Sequence, residues 1–489
     1  MTATFDNSYA RLPKRFFARL HPDRPSAPQL VRLNRVLAET LGIDAGWLGN
    51  SDGVAMLSGK AMPAGADPIA MAYAGHQFGG FSPQLGDGRA HLLGEMVGRD
   101  GVRRDVQLKG SGRTPFSRQG DGRAALGPVL REYIVAEAMA ALGIPTTRAL
   151  AAVRTGETVM REAPLPGAVL TRVARSHVRV GTFQYFAVRK DWDALRVLIA
   201  YVIERHYPDA AKAKRPALAL LDAVIDAQAD LIASWMAIGF IHGVMNTDNM
   251  SVAGETIDYG PCAFMDAHHN ETVYSSIDQG GRYAYGNQPG IAQWNLVRLA
   301  ESLLSAIDPN RETAISLAQA AIDRFPDRYH AAWLRAFRKK LGLTKLDAAD
   351  RTLAENLLGL MQAGQADFTL TFRRLAACAD DPSRDAALRA LFKDGAQIAE
   401  WLSGWRSRLA QEGRAPGACR AQMNTANPAI IPRNHLVEEA LSAAVSGNET
   451  PFHQLVDALQ HPFDAIFETH RYAQPPKPGE EVRATFCGT

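Results

Sequence analysis

Asn249, in "IHGVMNTDNMS", and Asp258, in "TIDYGPCAF", stand nine residues apart. One amide oxygen and one carboxylate oxygen make a poor cage for a cation alone. They suffice when phosphate oxygens fill the remaining positions of an octahedral magnesium, so the pair implies a bound nucleotide. Two further groups suit phosphate. Lys109 lies in the apolar-alternating "VQLKGSG", and Arg172, Arg175 and Arg179 crowd "LTRVARSHVRVGTF". Guanidinium groups form bidentate pairs with phosphate oxygens, which is the property needed to stabilise a departing pyrophosphate.

These residues need elements to hold them. Residues 217–238 have helical apolar spacing and deliver the chain into the loop that carries Asn249. "NMSV", the turn "AGE" and "TIDYG" then predict a short hairpin, setting Asn249 and Asp258 across from one another. Residues 71–125 are dense in glycine, with apolar pairs between the turns, and predict a small antiparallel sheet. Within it, "LGDGRAH" supplies Gly86, Gly88 and Arg89, and "RQGDGRAAL" supplies Asp121 and Gly122; glycine there lets backbone N–H groups approach phosphate closely. The helix predicted from Leu126 to Leu142 ends at Gly143 and Pro145 and offers Glu132 or Glu137 to hold Lys109.

This order outlines a protein kinase, with its strand lysine, helix glutamate, catalytic loop and Asp-aromatic-Gly triplet. One part is missing. In that pattern the general base lies two residues after the His, and here that position is Val244. The expected fold is therefore α+β and kinase-like in two lobes: a small antiparallel-sheet N-lobe, a helical C-lobe, and extensions at both ends. The expected boundaries are 1–70 for the N-terminal extension, 71–155 for the N-lobe, 156–380 for the C-lobe and 381–489 for the C-terminal extension.

Composition agrees with a globular enzyme. The chain has 489 residues, 46% hydrophobic and 21% charged, with a net charge of +3 from 54 basic and 51 acidic residues. That balance gives no argument for nucleic acid or an anionic membrane, and neither is expected as a partner. No apolar run is long enough to span a bilayer, and the first residues lack a signal-peptide core, so a cytoplasmic location is expected. Cys262, Cys378, Cys419 and Cys487 lie far apart and form no CxxC pair, so neither a zinc site nor a disulfide framework is indicated.

Longer blocks carry a more specific likeness. "AGHQFGGFSPQLGDGRAHLLGE", "LKGSGRTPFSRQGDGRAALGPVLREYIVAEAM", "HGVMNTDNMS", "DYGP" and "NPAIIPRNHLVEEAL" together resemble the selenoprotein O family, protein adenylyltransferases with a kinase-like fold. The resemblance implies that ATP binds reversed, terminal phosphates inward. AMP is then transferred to a Ser, Thr or Tyr hydroxyl of a target protein and pyrophosphate is released, with UTP as an alternative donor and Mg2+ or Mn2+ as the metal. It implies nucleotide contacts from Gly86, Gly88, Arg89, Lys109, Asp121, Gly122, Arg172, Arg179 and Asp258, with Glu132 supporting Lys109. Asn249 and Asp258 would be the metal ligands and Asp248 the proton acceptor, four residues beyond the kinase base position. The family's C-terminal selenocysteine corresponds to Cys487, for which Cys262 is the candidate disulfide partner by location. Two other classes stay open on the residues alone: a conventional Mg-ATP phosphotransferase, which Val244 disfavours, and a non-catalytic nucleotide-binding scaffold, which the retained metal ligands disfavour.

Overall fold

The structure is a computed structural model describing residues 4–415 and 417–486. Nine strands form one sheet: β1 (Phe17–Arg19), β2 (Gln29–Leu33), β3 (Ile69–Gln77), β4 (Gly80–Gly86), β5 (Ala90–Val97), β6 (Arg103–Lys109), β7 (Ala124–Ala125), β8 (Arg148–Met160) and β9 (Pro164–Ala174). The order is β1-β3-β5-β6-β9-β8-β2, with β4 added to β3 and β7 to β9, and all pairings are antiparallel.

The two-residue strand period decides what each face carries. Val106 and Leu108 of β6, with Val169 and Val173 of β9, face a core completed by Leu37, Leu48 and Leu57 from short N-terminal helices. The alternate residues, Gln107 and Lys109 on β6 and Arg172 on β9, therefore belong to the opposite face. Gln107 is paired directly with Arg172 in the β6–β9 register. Against that face lies the helix Leu126–Ala141, with Val129, Leu130, Tyr133 and Ile134 in the main core.

Below the sheet the chain is helical. The helix Pro216–Ala237 buries Leu221, Val224, Ile225, Leu231, Ile232 and Trp235, and it packs against Gln288–Ile307 and Phe325–Lys340. Helices continue to Leu459, and the last two, Asn434–Val445 and Thr450–Leu459, return to pack on Leu126–Ala141. An antiparallel-sheet N-terminal region thus meets a helical C-terminal region in the two-lobed kinase-like arrangement that the sequence predicts. Among the described residues no helix is long and apolar enough to cross a membrane.

Candidate active site

A cavity of about 390 Å³ opens between the sheet and the loop that follows Pro216–Ala237. It is lined by Gly86, Gly88, Arg89, Lys109, Asp121, Gly122, Arg172, Arg179, Asp248, Asn249 and Asp258, so these sequence-predicted residues converge although they span 173 positions. Glu132 stands just behind them, 2% exposed.

Its innermost part is a chain of alternating charges. Glu132 accepts from Lys109 through Oε2 and from the Arg172 Nε through Oε1 at 2.7 Å. Lys109 also donates to Asp258 Oδ1 at 2.5 Å, and Arg89 approaches Asp258 Oδ2 at 3.7 Å. Burial alone would push the Asp258 carboxyl up. Lys109, Arg89 and Arg172 outweigh it and hold the group well below its ordinary value. Its backbone sits at φ +78°, a region L-residues seldom occupy and one that recurs at functional sites. Glu137, the other candidate partner of Lys109, instead accepts from Arg148 at 2.7 and 2.9 Å and from the Ala149 N–H.

Arg179 is 4% exposed. It donates to the Asp248 carbonyl at 3.0 Å and the His177 carbonyl at 3.1 Å, lies over the Tyr73 ring at 4.1 Å, and reaches Asp87 Oδ1 at 3.5 Å. Arg175, by contrast, is exposed and outside the cavity, its N–H donating to Glu255.

The loop residues are set by their own backbone. Ile257 N–H donates to the Asn249 carbonyl and Met250 bridges Thr256, which makes the predicted hairpin. Asn249 Nδ2 donates to the Val244 carbonyl at 2.9 Å, leaving its oxygen for the cavity. Asp248 accepts one bond, from Gln77 Nε2 at 3.1 Å. Its Oδ1, among the described residues, is the one carboxylate oxygen buried without a hydrogen-bond partner. Burial pushes its carboxyl up to about 6, with Arg179 and the Gln77 bond offsetting only part of that effect. Gly75 leaves room for this oxygen, since a Cβ there would lie 2.7 Å from it. Val244 is 9% exposed and apolar.

At the other wall, Gly86 has φ +148° and a Cβ would lie 2.2 Å from the Phe116 ring, so the first glycine loop closes only without a side chain. Asp121 is fixed by Arg161 at 2.9 and 3.2 Å and by the Arg123 N–H, and Gly122 accepts from the Gly112 N–H at 3.0 Å.

Sequence reasoning missed several residues. Asp87, between the glycines read as a loop, is buried and accepts from Met71 N–H, Gln107 and Arg179; burial raises its carboxyl above the ordinary value. Arg131, adjacent to Glu132, donates to the carbonyls of Gly260 and Cys262 and to Asn434 Oδ1, tying the Asp258 loop to the C-terminal helices. Neither has a local signal, because their partners are far away in sequence. Cys262 is buried, and burial pushes its thiol up to about 12; Cys487 lies outside the described residues.

The donor set fits a hard cation. It offers one neutral and one anionic oxygen, and no group of three or more His, Cys, Asp or Glu among the described residues forms a cage by itself. A cation here would share its remaining positions with phosphate and water.

Comparison with known proteins gives the family. A family model described as "Protein adenylyltransferase SelO" matches residues 1–460. A protein nucleotidyltransferase YdiU of Rhodopseudomonas palustris (strain BisB5) is 60% identical over 486 residues, 99% of each chain. Namesakes in Rhizobium rhizogenes and Nitrobacter hamburgensis are each 58% identical, over 99% of this chain and 97% and 96% of theirs. With a family model spanning most of its length and relatives this similar end to end, the chain belongs to the SelO family of protein adenylyltransferases.

Proposed function

We infer that this protein transfers AMP from ATP to a hydroxyl group of an acceptor protein and releases pyrophosphate, with UTP as an alternative donor. One observation carries the assignment of roles. The inner cavity collects Lys109, Arg172 and Arg179, while the buried carboxylate with one oxygen left unpartnered is Asp248 and the kinase base position is the apolar Val244. Cations placed inward suit a triphosphate whose terminal phosphates enter first, leaving the α-phosphorus toward the loop. An acceptor oxygen then forms a bond to the α-phosphorus, the bond to the bridging oxygen of pyrophosphate breaks, and Asp248 takes the hydroxyl proton. A pKa near 6 suits that role, because the group is ionised at neutral pH yet remains a competent base. Arg172 and Arg179 hold the leaving pyrophosphate, whose charge grows as the bond breaks. Lys109, oriented by Glu132, exchanges its contact with Asp258 for phosphate oxygens. Asn249 and Asp258 would hold Mg2+ or Mn2+, which when bound neutralises phosphate charge and polarises the phosphoryl oxygens. A cytoplasmic setting, where nucleoside triphosphates are abundant, completes the assignment.

The test is isotopic. With ATP labelled at the α-phosphate, label enters protein; with ATP labelled at the γ-phosphate, none does. Incorporation of γ-label alone would replace this assignment with a conventional kinase.

A further inference from the structure

The β3–β4 hairpin turns on Phe78 and Gly79, at φ +50° and +86°. Positive φ at both central residues is the type I′ geometry, which favours Asn or Gly first; a bulky aromatic there is under strain. The strain is held by the loops of the active site, since Phe78 N–H donates to Asn246 Oδ1 and to the Tyr283 hydroxyl, each at 3.1 Å. The ring gains little burial in return. Phe78 is 37% exposed, and Phe81, beyond the turn, 39%.

From these rings a rim of packed side chains runs on from Gln77, which lines the cavity at the end of β3. Phe81 packs on His76 at 4.7 Å, His76 on Trp294 at 5.1 Å, and Phe78 on Tyr283 at 5.1 Å. Arg282 closes the gap, 4.8 Å from the Trp294 ring and 5.7 Å from that of Tyr283. Arg298, 4.9 Å from the same Trp294 ring, is paired with Glu301 at 2.8 Å. The Arg282 guanidinium has no such partner: among the described residues no carboxylate lies within 4.0 Å of its nitrogens, and its buried Nε has no acceptor, while its main-chain N–H donates to Asp278 Oδ1 at 2.9 Å.

The rim is also tied to the loop of the candidate base. His76 N–H donates to Thr247 Oγ1 at 2.7 Å, Gln77 to Asp248 Oδ2, and Phe78 N–H to Asn246, so two strand residues and the first turn residue hold three successive loop residues. An acceptor whose hydroxyl reaches Asp248 lies against this strand end. Cation and aromatic packing alone would account for Arg282 over Trp294. It does not account for a strained, exposed Phe78 or for an arginine left without an anion.

We propose that this rim is the docking surface for the acceptor protein, and that it takes an extended segment bearing an acidic side chain beside the hydroxyl to be modified. The carboxylate meets Arg282, and apolar neighbours cover Phe78 and Phe81. The proposal rests on the transfer activity inferred above and names its substrate class.

Three synthetic peptides test it, each with one Thr flanked by Glu, by Ala or by Lys. AMP incorporation is followed with α-labelled ATP and binding by fluorescence anisotropy. The Glu peptide should exceed the Lys peptide by about tenfold in kcat/KM and in affinity, the value of one charge-assisted hydrogen bond. Arg282→Glu should reverse that order, and Arg282→Lys should preserve it. Equal affinities for the three peptides overturn the proposal, as does tighter capture of a thymidine oligonucleotide than of the Glu peptide. Binding in the expected order with no AMP incorporated into any peptide upholds the docking surface and refutes the transfer activity instead.

Discussion

Asp248→Asn should make the protein more stable while removing its activity. Asp248 is 8% exposed, one of its carboxylate oxygens has no partner, and Arg179 bonds to its main-chain carbonyl instead of its carboxylate. Burial therefore raises its carboxyl from 3.8 to about 6. A carboxyl raised in the folded state favours folding when protonated. That contribution is fully present below the unfolded value and is lost as pH rises through the folded one. At about 1.4 kcal/mol per pH unit, the loss between pH 3.8 and pH 6 comes to roughly 3 kcal/mol. Asparagine has the same shape and keeps an oxygen for Gln77 without the charge. Metal-free protein in EDTA, unfolded by urea at a series of pH values, should show Asp248→Asn more stable than the parent by up to about 3 kcal/mol at pH 8, with the gap closing below pH 4. AMP transfer should fall roughly 10²–10⁴-fold, the span of general-base catalysis. A variant less stable than the parent at pH 8, or a gap that does not change with pH, would refute the argument that this carboxylate is buried at a cost.

Glu132→Gln leaves Lys109 and Arg172 without their shared anion, so denaturant unfolding should show a loss of about 3–5 kcal/mol, as for other broken buried pairs. Arg172→Lys and Arg179→Lys keep charge but lose the planar fork, and each should slow AMP transfer by roughly 10²-fold in single-turnover assays. Arg175→Lys, outside the cavity, should leave the rate unchanged, and equal small effects at all three positions would return the segment to ordinary surface charge. Val244→Asp should yield no phosphoryl transfer from γ-labelled ATP, although a restored base in a kinase geometry would be worth roughly 10²–10⁴-fold. Strong kinase activity in that variant would overturn the inward-phosphate arrangement.

The most legible features were those whose causes are local. Gly143 and Pro145 mark the end of the Leu126–Ala141 helix, and the alternation in "VQLKGSG" marks β6, because helix stops and strand period act within a few residues. The choice between Glu132 and Glu137 was not local, since both lie on one helix and only its placement over β6 and β9 selects the first. Asp87 was hidden for the same reason: its partner Arg179 is 92 residues away, and between two glycines it reads as a turn residue. Arg131 looks like one half of an ordinary charged pair with Glu132. Its work is done on carbonyls of a loop 129 and 131 residues downstream.

The two short strands at the margins of the sheet have a consequence for solubility. β1 covers Ile69, Ala70 and Met71, and β2 covers Ala151, Ala152 and Val153, all with no exposed surface. Stripped of β1 and β2, those segments would present free N–H and C=O groups beside apolar side chains, which is the template on which strands of separate molecules add to one another. A fragment trimmed to begin at β3 would keep every residue of the cavity and still be prone to form intermolecular sheet. β1 and β2 thus act as a guard against self-association, a role for two strands that contribute nothing to the lining of the cavity.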